Sequence, residues 1–144
     1  MAANPAISNA AAIAACNAIV DRLDEGAGAA ILRIYAGTQP TTVDDAVDTQ
    51  VLCASMALND PAFEAAADAD PGATAAADVD PVPTEDAALA TDTATWFRVS
   101  TSGGTAVIDG TVGTSDADLV LNTTAIVQNA VVTITAWTFT VPET

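Results

Sequence analysis

The sequence predicts a mainly β protein, a β-sandwich that carries one α-helix at its N-terminus. Three observations predict it. Helix-period apolar spacing is confined to the first 27 of 144 residues. Short alternating apolar runs follow, separated by Gly, Asp, Asn and Pro clusters. No period of roughly 20 to 50 residues recurs, which argues against a solenoid or propeller.

Residues 1–27 form the predicted helical segment. Asn4 with Pro5 is one candidate start, and Ser8 or Asn9 is another. Ile13, Cys16, Ile19, Val20 and Leu23 fall on one face, and Ala, the strongest helix former, fills most of the rest. Gly26 and Gly28 end it. Asp24 and Glu25 stand at the negative end of the helix dipole, so the last turn is expected to fray.

Residues 28–144 form the predicted sandwich domain. The run 29–36 reads as a strand, with Leu32 and Ile34 on one face and Ile31, Arg33 and Tyr35 on the other. Gly37 to Pro40 is a turn, and a polar connection leads to a second strand over 50–58, where Leu52, Ala54, Met56 and Leu58 share a face. Residues 59–93 are rich in Ala, Asp and Pro. Pro61, Pro71, Pro81 and Pro83 forbid a long helix. The expectation is a short strand near 62–65, then an acidic Pro/Ala-rich excursion at about 65–93 with at most one or two short strands. Long excursions of this kind are usually functional or mobile.

From Ala94 the pattern is β. Phe97 and Val99 alternate with Trp96 and Arg98, and Ser102-Gly103-Gly104 turns the chain into a returning strand over 105–113. Strands are expected in 118–122, in 123–130 and over 131–142. In the last, the apolar phase shifts between Ile134 and Trp137, which predicts a bulge or burial of both faces. Many short strands with tight turns suit a sandwich of the jelly-roll or immunoglobulin-like kind.

The charge restricts function. The chain has a formal net charge of −16, no His and no Lys; its cations are Arg22, Arg33 and Arg98. Three separated Arg cannot neutralise a phosphate backbone, so nucleic acid is rejected as a partner. Anionic membrane surfaces are rejected for the same reason. The longest apolar runs are too short to cross a bilayer. Nothing basic precedes Arg22, and Asn4, Ser8, Asn9 and Asn17 interrupt the apolar N-terminus, so no signal peptide is expected. A chain this acidic repels its own copies at low salt, and salt or divalent cations relieve that repulsion.

Catalysis is not expected. Without His or Lys, neither a Cys nor a Ser nucleophile has its usual base. A carboxylate pair of the glycosidase kind would need acids framing a cleft, and here the acids lie in connections. No catalytic or cofactor-binding residue is assigned. Asp68 with Asp70 and Asp78 with Asp80 could supply oxygen ligands to calcium, but they match no EF-hand loop, and a solvated acidic loop is the simpler reading. Asp44, Asp45 and Asp48 are weaker candidates. Asn122-Thr123-Thr124 is a formal glycosylation sequon that carries little weight without a secretory signal. Trp96 and Trp137 read as core or subunit-interface residues, Arg33 and Arg98 as partners of nearby carboxylates, and Cys16 and Cys53 as buried free thiols.

Two segments carry a resemblance. RIYAGTQPTTVDDAVDTQVLCASMALNDPAFEAAA resembles sequences of small structural proteins of tailed phages. TATWFRVSTSGGTAVIDGTVGTSDADLVLNTTAIVQNAVVTITAWTFTVP has the same order of elements: an aromatic strand, a V-x-D-G hairpin arm, a strand opening on Asp118-Leu119, and a Thr/aromatic strand ending at Pro142. Residues 65–92 depart most from it. The resemblance implies a capsid decoration (cement) protein on the outer surface of the virion, with the major capsid protein and copies of itself, as a homotrimer, for partners. Two other readings stand beside it: another virion component (head fibre, neck or tail), or a calcium-stabilised or carbohydrate-binding surface module. On this reading, deleting residues 1–27 would abolish assembly or attachment and leave the β-domain folded.

Overall fold

The computed structural model describes residues 3–143 and is mainly β with one N-terminal α-helix. Helix α1 spans Asn9–Val20 and runs into a 3-10 turn at Asp21–Asp24. Eleven strands follow: β1 Ile31–Ala36, β2 Val51–Ala57, β3 Ala67–Asp68, β4 Ala73–Ala76, β5 Thr84–Glu85, β6 Asp92–Thr93, β7 Trp96–Ser100, β8 Ala106–Gly113, β9 Leu119–Leu121, β10 Ala125–Ile126 and β11 Val132–Val141.

One hydrogen-bonded path runs β2-β1-β7-β8-β9-β11-β4-β3, with β5 also on β11 and a separate β6–β10 pair. All contacts are antiparallel except β8–β9, which is parallel. Strand β11 is long enough to pair with β5 near its start and β4 near its end. The path curls, because the segment after β5 reaches back to β2. Leu89 N–H donates to the Cys53 carbonyl at 2.8 Å, and Ser55 N–H donates to Glu85 Oε2 at 3.3 Å.

The inner face is apolar. Leu32, Ile34, Phe97 and Val99 face inward from β1 and β7, and Leu119, Leu121, Ile134 and Trp137 from β9 and β11. Trp137 stands edge-on to Phe63 at 4.6 Å and to Phe97 at 4.9 Å between ring centroids, joining the two halves. Gly110 on β8 makes room for Phe97, since a Cβ there would lie 2.6 Å from its ring. The phase shift in the last strand is a bulge in the β9–β11 register between Ile134 and Ala136. A second irregularity, between Ile34 and Tyr35 opposite β2, buries Cys53 next to Ala54.

Several boundaries differ from the sequence reading. The helix begins at the second candidate, with Ser8 Oγ accepting the Ala11 N–H at 3.2 Å. The Asp24–Glu25 misfit has a structural use: Asp24 Oδ1 accepts the Ala62 N–H at 2.8 Å, and Arg22 pairs with Glu25 at 3.2 Å. Near 62–65 there is a single bridge, Phe63 to Ala77, in place of a strand. The acidic excursion contains four short strands, β3 to β6. Its organisation follows a ten-residue spacing of Asp60-Pro61, Asp70-Pro71 and Asp80-Pro81, each a cis peptide at a turn.

The helix shares its core with the sheet. Ala12, Cys16, Val20 and Leu23 are buried with Ala73 and Ala75 of β4 in one continuous cluster. Small side chains on both sides allow the close approach. The face of Ala12, Cys16 and Val20 is therefore covered by the chain's own strands, while Ala10, Ala11, Ala14 and Ala18 are exposed. Residue 27 is not a boundary between two cores.

Two outcomes are expected. Leu23→Ala should destabilise the protein by about 2–5 kcal/mol in denaturant melts, and deletion of 1–27 should expose enough of β4 and β11 to unfold the β-domain. Burial raises the Asp24 carboxyl above its ordinary value, with smaller contributions from Asp60 and Asp21 and an opposing one from the Ala62 N–H. A raised folded-state value makes the ionised form the less stable one, so this group's contribution falls as pH rises through its titration. Asp24→Asn should raise Tm at pH 7, with the gain vanishing as the pH is lowered below that titration.

Candidate functional site

The outer face of β1 and β7 carries a buried charge network. Tyr35 stacks on Trp96 at 4.6 Å, and the Arg98 guanidinium lies 5.7 Å from the Trp96 ring. Arg98 Nε and Nη2 each donate to Asp109 at 2.7 Å, a bidentate pair in which the Asp109 side chain is 4% exposed. The same guanidinium donates to the carbonyl of Asp45 at 2.7 Å and of Thr42 at 3.4 Å. It thus fixes the polar connection over the aromatic pair. Hydrogen bonding to Asp109 is the main cause that raises Arg98 further, so it is charged throughout. Tyr35, Trp96, Arg98 and the Asp109 side chain are all buried, and the network reads as structure.

The calcium candidates do not converge. Asp68 and Asp70 sit at the β3–β4 turn, and Asp78 and Asp80 follow β4. The two pairs are separated by roughly 16 Å of extended chain. Each pair closes its own turn: Asp68 Oδ1 accepts the Asp70 N–H at 3.2 Å, and Asp78 Oδ1 accepts the Asp80 N–H at 3.0 Å. Among the described residues no group of three or more His, Cys, Asp or Glu could hold a metal ion. Asp45 Oδ2 likewise accepts the Thr42 N–H at 2.9 Å, whereas Asp48 takes part only through its backbone N–H, which donates to Gln50 Oε1 at 2.9 Å.

Cys16 and Cys53 are free and buried, and burial pushes both thiols up, away from the nucleophilic thiolate. Trp96 and Trp137 are in the interior. Arg33 has no carboxylate partner among the described residues; the ion pairs there are Arg22–Glu25 and Arg98–Asp109. Asn122 is tied into the sheet, its Oδ1 accepting the Thr133 N–H at 3.0 Å.

Two surface features were not legible in the sequence. The first is an apolar patch. Segment 88–91 lies between β2 and the β10–β11 connection, held by the Leu89 N–H to Cys53, the Ala88 N–H to Ala130 and Gln128 Nε2 to Leu89 O. This brings together Val51 (40% exposed), Leu89 (46%), Val127 (56%) and Val131 (50%). The second is a cavity of about 170 Å³ between β8 and β11, floored by Phe97, Ile108, Trp137 and Phe139, with Asp109 and Asp118 on its rim. Neither has a local signal, because each depends on which strands become neighbours.

Arg98→Met should leave Asp109 buried and unpaired and lower stability by about 3–5 kcal/mol. Hydrogen exchange should show the 38–50 connection opening in that variant well before the strands.

No protein-family model matches the chain, and no curated protein or solved structure matches it.

Proposed function

We propose that this chain is a non-enzymatic virion protein that decorates the head of a tailed phage. It would bind the major capsid protein on the outer surface and bridge capsomers against internal DNA pressure. The observation that supports this best is the exposure of Val51, Leu89, Val127 and Val131 on neighbouring segments of a chain of net charge −16. Grouped exposed apolar side chains mark association surfaces. A protein repeated over a lattice gains its hold from many identical contacts of modest size. The resemblance of residues 33–142 to small tailed-phage structural proteins suggests which surface the patch meets.

The acidity fits an outward position, since a chain of net charge −16 does not compete for packaged DNA. It also requires that copies standing side by side be screened by salt, or be held by apolar contacts strong enough to offset repulsion. A homotrimer around a local three-fold axis is part of the proposal.

Copy number in purified particles tests the reading, measured by quantitative mass spectrometry against the major capsid protein. A ratio near one, or a simple fraction set by the lattice three-folds, is expected. A few to a few dozen copies would move the chain to neck, tail or fibres, and absence from particles would overturn the viral reading. Leu89→Asp with Val127→Asp should reduce attachment to particles at least tenfold, about 1.4 kcal/mol or more, while leaving Tm nearly unchanged.

A further inference from the structure

Strand β9 lies between β8 and β11 but fills only part of the space between them. It pairs with β8 at Val112 and Gly113 and with β11 from Ile134 to Trp137. Before Leu119 the chain leaves the sheet in the 114–118 turn. The rest of β8 and the end of β11 therefore face each other with no strand between them, and the cavity floored by Phe97, Ile108, Trp137 and Phe139 occupies that gap.

Part of the backbone lining this gap pairs with no strand. Thr111 N–H points to the β9 side, donating to Asp118 Oδ2 at 2.8 Å, whereas Val112 N–H points to β7. Asp109, two residues before Thr111, faces the same way as Thr111. On β11, the Trp137 carbonyl accepts from Ala77 on the β4 side, so Thr138 and Thr140 face the gap. On the gap side no strand pairs with Asp109, Thr138 or Thr140 among the described residues.

We propose that this gap binds an extended, cationic segment of a partner protein by strand addition, continuing the line of β9 for four or five residues. The backbone of the segment would pair with Asp109 on one side and with Thr138 and Thr140 on the other. Its alternate side chains would rest on the apolar floor, and the others would face the rim. The charge complement selects the partner. Asp118 carries a carboxylate held by Thr111 N–H and Oγ1, with no cation near it among the described residues. Asp109 is already neutralised by Arg98. A second copy of this chain, with 3 Arg against 19 acids, is a poor donor of such a segment. The inference does not depend on the capsid reading.

The test uses a capped hexapeptide of alternating Val and Lys with the full-length protein at low salt, read by amide hydrogen exchange and NMR titration. Protection is expected at Asp109, Thr138 and Thr140, weakening as NaCl is added. A peptide N-methylated at alternate residues, or one with Glu for Lys, should bind at least tenfold more weakly. Thr140→Pro removes a gap-facing N–H without touching the β4 ladder and should weaken binding similarly. The proposal is overturned if the Lys peptide protects none of these amides at about 1 mM, the weakest affinity that counts as recognition here. Equal binding of the Glu or N-methylated peptide to the wild-type protein would also overturn it. So would a concentration-dependent dimer that Thr140→Pro abolishes, since the gap would then belong to a second copy.

Discussion

The edge-on contact of Trp137 with Phe63 and Phe97 is the constraint on which the other elements depend. These three rings come from β11, from the segment before β3 and from β7, and they are most of the aromatic mass inside the fold. Much of the remaining core is Ala, Val, Leu and Ile, with Ala12, Ala73 and Ala75 where α1 meets β4. Ala buries little area and contributes little on its own. The aromatic cluster sets the separation of the two halves of the sheet, and the small residues then allow the helix to lie close against β4. Gly110 is part of the same arrangement, because any side chain there would displace Phe97.

Electrostatics contributes little to holding the fold together. One ion pair is exposed, between Arg22 and Glu25, and such pairs contribute about 0–1 kcal/mol. The buried Arg98–Asp109 pair has a different use. It aligns β7 with β8 at directly opposed positions and reaches across to the 42–45 backbone, so one guanidinium organises three segments. Most other carboxylates with a visible partner accept from backbone N–H groups close in sequence, as at Asp68, Asp78 and Asp92. The chain thus uses acids as turn-formers, which explains how a fold with so few cations carries so many of them.

The β class, the N-terminal helix, the β7–β8 hairpin and the β11 bulge were legible because each has a local cause in periodicity, turn chemistry or phase. Arg98 was legible as the partner of a carboxylate, but the choice of Asp109 depends on the β7–β8 register. The four strands of the acidic excursion were not expected, since β3, β5 and β6 are two residues each and exist only through their neighbours. Their signal was the ten-residue Asp-Pro spacing, which lies below the range of periods that solenoid repeats occupy. The two Asp-x-Asp pairs look like ligands in sequence; in the structure Asp68 and Asp78 each accept a backbone N–H at their own turn. The apolar patch and the gap beside β9 had no local signal at all.

Both surface features arise from the same property of the chain, the brevity of β9 and β10. Because β10 ends at Ile126, the connection to β11 swings out and carries Val127 and Val131 to the surface. Because β9 begins only at Leu119, β8 and β11 part and leave unpaired edges. Open edges invite pairing with any exposed strand, including one from another copy. Here the rim carries Asp118 beside a chain of net charge −16, so like charge disfavours a copy and opposite charge favours a cationic strand. The same aspartate that protects the edge from self-association would select its partner. Protection and recognition are then one electrostatic effect acting on two different approaching strands.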